Sequence, residues 1–182
     1  MDKDGYALCA IIPAAGESRR YGPENKLLSK FDGVAILERV VQAIGCTNIN
    51  KIVVVTGSDH AEIASLLSGY PVECIQNPDW TAGMGTSIAC GARELTEKAF
   101  DGVLICLGDL PELTGKTVQT VIEAFRENRA TRIVLPIFGK RRGHPVILPI
   151  SFLSELRRLS GDEGARSLIK RHGDQVVEIP VE

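Results

Sequence analysis

Residues 7–22 read ALCAIIPAAGESRRYG: an apolar run that stops at Pro13 and gives way to small residues, two arginines and a glycine. Apolar side chains on consecutive positions are expected of a strand covered on both faces, whereas a half-solvated strand alternates. Short runs of the same kind recur at 52–56 (IVVVT), 72–75 (VECI), 102–107 (GVLICL), 132–136 (RIVLP) and 175–179 (QVVEI). Between them the period changes. Ile36, Leu37, Val40, Val41 and Ile44 share one helical face, as do Ile63, Leu66 and Leu67, and then Val118, Val121, Ile122 and Phe125. Asp59 with Glu62 reads as a capping box, Thr114 and Asp162 as N-caps, and Gly173 as a helix end. Residues 137–150 (IFGKRRGHPVILPI) break the alternation and read as a turn followed by another strand. Strand–helix alternation on this scale predicts an α/β fold: a Rossmann-like open, mostly parallel sheet with helices on both faces. No repeat, low-complexity tract or linker divides the chain, so residues 1–182 are expected to form one domain.

Composition narrows the classes of partner. With 44% hydrophobic and 24% charged residues and a formal net charge of −2, no global field favours nucleic acid or an acidic membrane. Short basic clusters at Arg19-Arg20, Lys140-Arg141-Arg142 and Lys170-Arg171 suit a small phosphorylated ligand better than a polymer. The cysteines (Cys9, Cys46, Cys74, Cys90 and Cys106) are odd in number, scattered and without a CxxC pair. That argues for a reducing compartment and against a disulfide framework or a zinc site. The N-terminal apolar run is too short for a signal peptide or a membrane span, which makes a cytoplasmic location the expectation.

On open sheets of this class, ligands sit at the carboxyl ends of the strands, so the loops after the strands carry the information. After the first strand come Ala14, Ala15, Gly16, Glu17, Ser18, Arg19 and Arg20, then Asn25, Lys26, Leu27 and Leu28. Small residues let backbone N–H groups approach phosphate oxygens, and Arg20 and Lys26 bring positive charge to the same place. Gly108-Asp109-Leu110-Pro111 follows GVLICL, where Asp109 reads either as a metal-holding carboxylate or as a turn former. Gly115-Lys116-Thr117 is no Walker loop, since the glycine required five positions earlier is Leu110. Gly83 and Gly85 begin a dinucleotide fingerprint whose third glycine is replaced by Ile88; a helix N-terminus that binds a nucleotide and a plain glycine-rich connection both fit. His144 in RGHP either meets an acceptor or pins a turn. His60 and His172 fall in helical context and read as surface residues, and no Ser-His-Asp or Cys-His set is assembled.

Taken in order, these loops resemble the MobA-like nucleotidyltransferases, especially the molybdenum cofactor cytidylyltransferase branch. That family opens on LAAGxSxRMG followed by KLL; here the segment reads PAAGESRRYG at 13–22 and KLL at 26–28. Residues 108–111 (GDLP) are similar to its GDMP block. Asn77-Pro78, Gly83-Met84 and Ser87 match its third block, and 143–145 (GHP) with 161–166 (GDEGAR) its last ones. Pro13 and Tyr21 depart from its usual Leu and Met, and an IPAAG opening is also similar to cytidylyltransferases of isoprenoid synthesis. The resemblance implies a nucleotide-diphospho-sugar transferase-like fold and transfer of CMP from CTP to molybdopterin cofactor, with the AAG form implying CTP over GTP. Other sugar or polyol phosphates are alternative acceptors, and a non-catalytic nucleotide- or cofactor-binding partner is a third reading. It implies Mg²⁺ held by Asp109, with Arg20, Lys26 and Asp109 as the catalytic set. Ala14, Ala15, Gly16, Ser18, Asn77, Gly83 and Ser87 would bind nucleotide, and His144 and Arg166 the acceptor. Transient contact with a molybdoenzyme or its maturation factor follows from the same resemblance.

Overall fold

The structure is a computed structural model that describes residues 5–16 and 25–181, and each of the six apolar runs becomes a strand in it. In chain order the first elements are β1 (Leu8–Ala14), β2 (Lys30–Phe31), β3 (Val34–Ala35), α1 (Ile36–Gly45), β4 (Lys51–Thr56), α2 (His60–Leu66) and β5 (Glu73–Gln76). There follow α3 (Met84–Arg93), β6 (Gly102–Ile105), α4 (Gly115–Glu127), β7 (Ile133–Phe138), β8 (Arg141–Arg142), β9 (Val146–Pro149), α5 (Leu153–Leu156), α6 (Ala165–Arg171) and β10 (Val176–Pro180). The 137–150 segment is a hairpin and a strand, as its sequence implies; the short β2–β3 hairpin has no counterpart in the sequence reading.

The main sheet runs β10-β7-β9-β6-β1-β4-β5, with β8 paired to the edge of β7. Neighbours are parallel except where β9 runs against β6 and β7, and where β8 turns back on β7. Residue parity along β1 divides the core. Leu8, Ala10 and Ile12 pack with α1, α2 and α4, whereas Cys9 and Ile11 pack with α3, α5 and α6. Both faces are therefore dry, which is why β1 shows no polar alternation.

The chain moves from β1 outward to β4 and β5, then crosses back to β6 on the other side of β1. Strand order reverses at the β1/β6 pair, the place where open sheets of this kind receive ligands, outside the carboxyl ends of the strands. Helix α4 takes an unexpected side. Its crossover from β6 to β7 continues in the direction of the β5–β6 crossover, yet it packs on the α1 face while α3 packs on the other. Its hand is therefore opposite to that of the three preceding crossovers. Gly102 accommodates this placement: a Cβ there would stand 2.6 Å from the ring of the fully buried Phe125 of α4.

Two cap expectations need correction. Asp59 stands at the N-cap of α2 but makes no side-chain cap bond; its Oδ2 accepts from Asn25 Nδ2 at 2.6 Å and its Oδ1 from Ser58 Oγ at 3.0 Å. Asp162 lies outside α6, whose N-cap is Gly164. Thr114 does cap α4, accepting from Thr117 N at 3.1 Å.

Candidate active site

β1 and β6 are in parallel register with Ile11 opposite Ile105, so the chain leaves both strands at one level of the rim. Cys106 N donates to Ile11 O at 3.2 Å and carries the pairing one residue further. At Gly108 a Cβ would lie 3.1 Å from Leu37 Cδ1 and 3.3 Å from Pro13 O, so the glycine lets this loop settle between α1 and the end of β1. From α1, Arg39 Nε donates to Pro111 O at 2.8 Å and holds the far side of the loop. Asp109 is thus presented on a segment anchored at both ends.

Lys26 meets it. The 3₁₀ turn Lys26–Leu28 is pinned by buried Leu27 and by Asn25, whose Oδ1 accepts from Leu27 N at 2.9 Å while its Nδ2 reaches Asp59. From that turn Lys26 Nζ approaches Asp109 Oδ2 to 3.0 Å, with 35% of the lysine and 46% of the aspartate side chain exposed. Residues 83 positions apart form one half-open charge pair at the carboxyl end of the sheet. Among the described residues no three His, Cys, Asp or Glu side chains converge to cage a metal. One exposed carboxylate still suits a hard cation of the Mg²⁺ type, which is commonly held by one or two carboxylates and completed by phosphates and water.

Ala14 and Ala15 are buried and Gly16 is exposed, directly after β1 at the same end of the sheet. Ser18 and Arg20 lie outside the described residues. Beside Ala15 sits Gly57, directly after β4; a Cβ there would be 2.9 Å from Ala15 O and 3.0 Å from the Trp80 ring. Gly57 and Trp80 were missed in the sequence, although the rule of inspecting the residue after each strand would have found the glycine.

The β5–α3 connection is held by a polar knot. Asn77, 2% exposed, donates from Nδ2 to Thr86 Oγ1 at 2.9 Å and to Ser87 Oγ at 3.1 Å, and its Oδ1 accepts from Asp79 N at 3.0 Å. Ser87 is equally buried. Both side chains point at each other, so what they do in this structure is fix the path of residues 77–87. Gly83, at φ 115°, is the one position of that path in the left-handed half of backbone space, and a Cβ there would collide with Gly161 C at 2.3 Å. Gly85 N donates to Gly161 O at 2.8 Å, which brings the GDEGAR block against the start of α3.

His144 Nδ1 lies 3.3 Å from Ile105 O. A carbonyl only accepts, so Nδ1 carries the proton and Nε2 is left as an acceptor. Burial pushes the imidazole below its ordinary pKa; the Ile105 carbonyl and Asp109 oppose that shift, and Arg166 adds to it. The histidine is therefore neutral near pH 7 and within the electrostatic reach of both Asp109 and exposed Arg166. The other histidines are partly exposed, and each has a partner. His60 Nδ1 pairs with Thr56 Oγ1 at 2.7 Å, and half-buried His172 packs edge-on against Phe152 and contacts Glu155 at 3.2 Å.

The sequence profile of the MobA-like NTP transferase domain matches residues 10–176, a range that includes Lys26, Asp109, His144 and the β5–α3 connection. The chain belongs to that family. Among curated relatives, the nicotine blue oxidoreductase of Paenarthrobacter nicotinovorans is 25% identical over 93% of this chain and 85% of its own. The purine catabolism protein PucB of Bacillus subtilis strain 168 is 27% identical over 90% of this chain and 80% of its own. Among solved structures, Rv0371c of Mycobacterium tuberculosis H37Rv superposes with a TM-score of 0.82 at 21% identity over 97% of this chain and 88% of that one. A CMP-2-keto-3-deoxy-manno-octonic acid synthetase complexed with CTP does so with a TM-score of 0.72 at 12% identity, over 96% and 90%. The fold is that of the nucleotide-diphospho-sugar transferases, and the family is one of nucleotidyltransferases. Among the described residues no helix is long and apolar enough to cross a membrane.

Proposed function

We propose that this chain transfers CMP from CTP to molybdopterin cofactor with release of pyrophosphate. The observation that carries the reading is the Lys26–Asp109 pair at the β1/β6 switch point, beside the Ala14–Gly16 turn. CTP is favoured by the AAG form of that turn, and the acceptor by the ordered set of loop motifs. Asp109 would hold Mg²⁺, which when bound neutralises triphosphate oxygens and aligns them.

The chain's own residues do the rest. A terminal phosphate oxygen of the acceptor is already ionised near neutral pH, so its attack on the α-phosphorus needs no general base. The new bond forms to that phosphorus as the bond to the bridging oxygen breaks, and pyrophosphate leaves with the electron pair. Lys26, Arg20 and the backbone N–H groups around Gly16 stabilise the charge gathering on the leaving group. Neutral His144, with Nε2 as an acceptor, is suited to orienting the acceptor rather than to giving up a proton, and Arg166 supplies a cation on that side. Ala14, Ala15 and the path fixed by Asn77, Gly83 and Ser87 form the walls of the nucleotide site. Phosphoryl-transfer enzymes in general work largely by positioning and charge.

The test is a thermal-shift screen of the four nucleoside triphosphates with and without Mg²⁺, followed by pyrophosphate release with a panel of acceptors. A ligand of the native state must raise stability by mass action, by about 2.7 kcal/mol at a hundredfold excess over Kd. Stabilisation by CTP and turnover with molybdopterin cofactor are expected. Turnover only with a sugar or polyol phosphate would replace the acceptor. Binding without turnover would favour a non-catalytic partner, and stabilisation by NAD(P) instead of CTP would favour the redox role that the name of the Paenarthrobacter relative carries.

A further inference from the structure

We propose that the indole of Trp80 forms one wall of the nucleotide pocket and packs against the base–ribose end of the bound nucleotide, an inference that rests on the nucleotidyltransferase reading above. Trp80 is the chain's single tryptophan and is partly exposed on the 3₁₀ turn Trp80–Ala82. Its Cγ and Cδ2 would each lie 3.0 Å from a Cβ on Gly57, and the same Cβ would be 2.9 Å from Ala15 O. The ring and the Ala15 carbonyl thus both border the bare backbone of Gly57, at the end of the sheet where the small-residue turn begins.

The turn that carries the ring is unusually well tied for a connection. Asp79 N donates to buried Asn77 Oδ1 at 3.0 Å, Thr86 Oγ1 donates to Asp79 O at 3.0 Å, and Ala82 N donates to the same oxygen at 3.0 Å. Gly83 N donates to Trp80 O at 3.3 Å. A partly exposed aromatic held on a fixed turn presents a wide, rigid surface that loses little entropy when covered. Contacts between a nucleobase and an aromatic ring contribute about 1–3 kcal/mol each, enough to govern affinity without touching the reacting phosphates.

Because Trp80 is the only tryptophan, the full chain reports on itself. CTP with Mg²⁺ is titrated by calorimetry and, in parallel, by tryptophan emission and acrylamide quenching. The expected result is an emission change that saturates at the calorimetric Kd, with quenching reduced about twofold or more in the bound state. Trp80→Ala should raise Kd about 5- to 100-fold, and Trp80→Phe should stay within a few-fold of wild type. Calorimetric binding with unchanged emission and quenching overturns the proposal, as does an unaltered Kd in Trp80→Ala. Should that variant not fold, Trp80→Phe and the wild-type spectra decide the matter. Absence of heat for every nucleoside triphosphate instead removes the nucleotidyltransferase reading, and this proposal with it.

Discussion

Replacing Asp109 with Asn separates a catalytic carboxylate from a structural one, because the two roles predict opposite pairs of readouts. The Lys26–Asp109 pair is short, 3.0 Å, but about a third to a half of each side chain is exposed. Water screens such a pair, and double-mutant measurements place exposed ion pairs at about 0.2–1 kcal/mol. Asparagine is isosteric and its side-chain oxygen can still accept from Lys26 Nζ. The loop itself is held by Gly108 against Leu37 and by Arg39 on Pro111 O, contacts that the substitution does not touch. The stability change should therefore stay under about 1 kcal/mol, which for a chain of this size is a Tm shift of about 2–4 °C. Activity should respond far more. Losing one preorganised charge at a phosphoryl centre costs on the order of 100- to 1000-fold in rate, about 2.7–4 kcal/mol of transition-state stabilisation. The assay is pyrophosphate release with CTP and acceptor at saturation, run beside a melting curve on the same preparation. Turnover within tenfold of wild type, or a Tm lowered by more than about 10 °C, would refute the reasoning: the first makes the carboxylate dispensable, the second makes it part of the scaffold.

Gly83→Ala should destabilise by about 2 kcal/mol or more, since its Cβ would meet Gly161 C at 2.3 Å and alanine resists φ 115°; chemical denaturation gives the value. Asn77→Ala removes an acceptor and two donor bonds from a buried knot and should cost about 1–3 kcal/mol, read by the same method, with weaker CTP binding because the path to Gly83 loosens. For His144 the sign follows from burial. Its folded pKa lies below its ordinary value near 6.5, so the unfolded chain takes up the proton first; stability is full above about pH 6.5 and falls as pH drops through the folded value. A His144→Gln variant should show a flatter decline below pH 6.5, and an unchanged pH profile of the midpoint would argue that the histidine is not neutral in the native chain.

The strands were legible because burial on both faces leaves a local mark: Ile11, Val54 and Leu104 sit in runs that no amphipathic strand would show. The helices were legible by their period, and Asp109 by its place after a buried strand. Less visible were features whose cause is a distant neighbour. Asp59 looks like a cap until Asn25, 34 positions away, takes its carboxylate. His172 looks unpartnered until Phe152 meets it edge-on and Glu155 approaches it. Asn77 and Ser87 carry nothing in the sequence that tells a ligand contact from an internal bond; only their burial and their bonds to Thr86 and to each other reveal that they shape the loop.

The path of the loop that runs on from Asp109 into α4 reflects the feature least readable of all. Crossovers between parallel strands are right-handed in about 98% of cases, and four helices obeying one rule would have put α4 on the α3 face. It lies instead on the α1 face, so residues 108–114 must pass over the end of β6 toward α1 before the helix begins. That route places Gly108 on Leu37, Pro111 O on Arg39, and Gly115 against Cys46 at the end of α1, with 2.3 Å between a Gly115 Cβ and the Cys46 sulfur. The carboxylate is steadied by α1, the same helix that follows the Lys26 turn and the β2–β3 hairpin. A sequence rule for loops could name both residues; the structure brings them within 3.0 Å where the loop into α4 rests on α1.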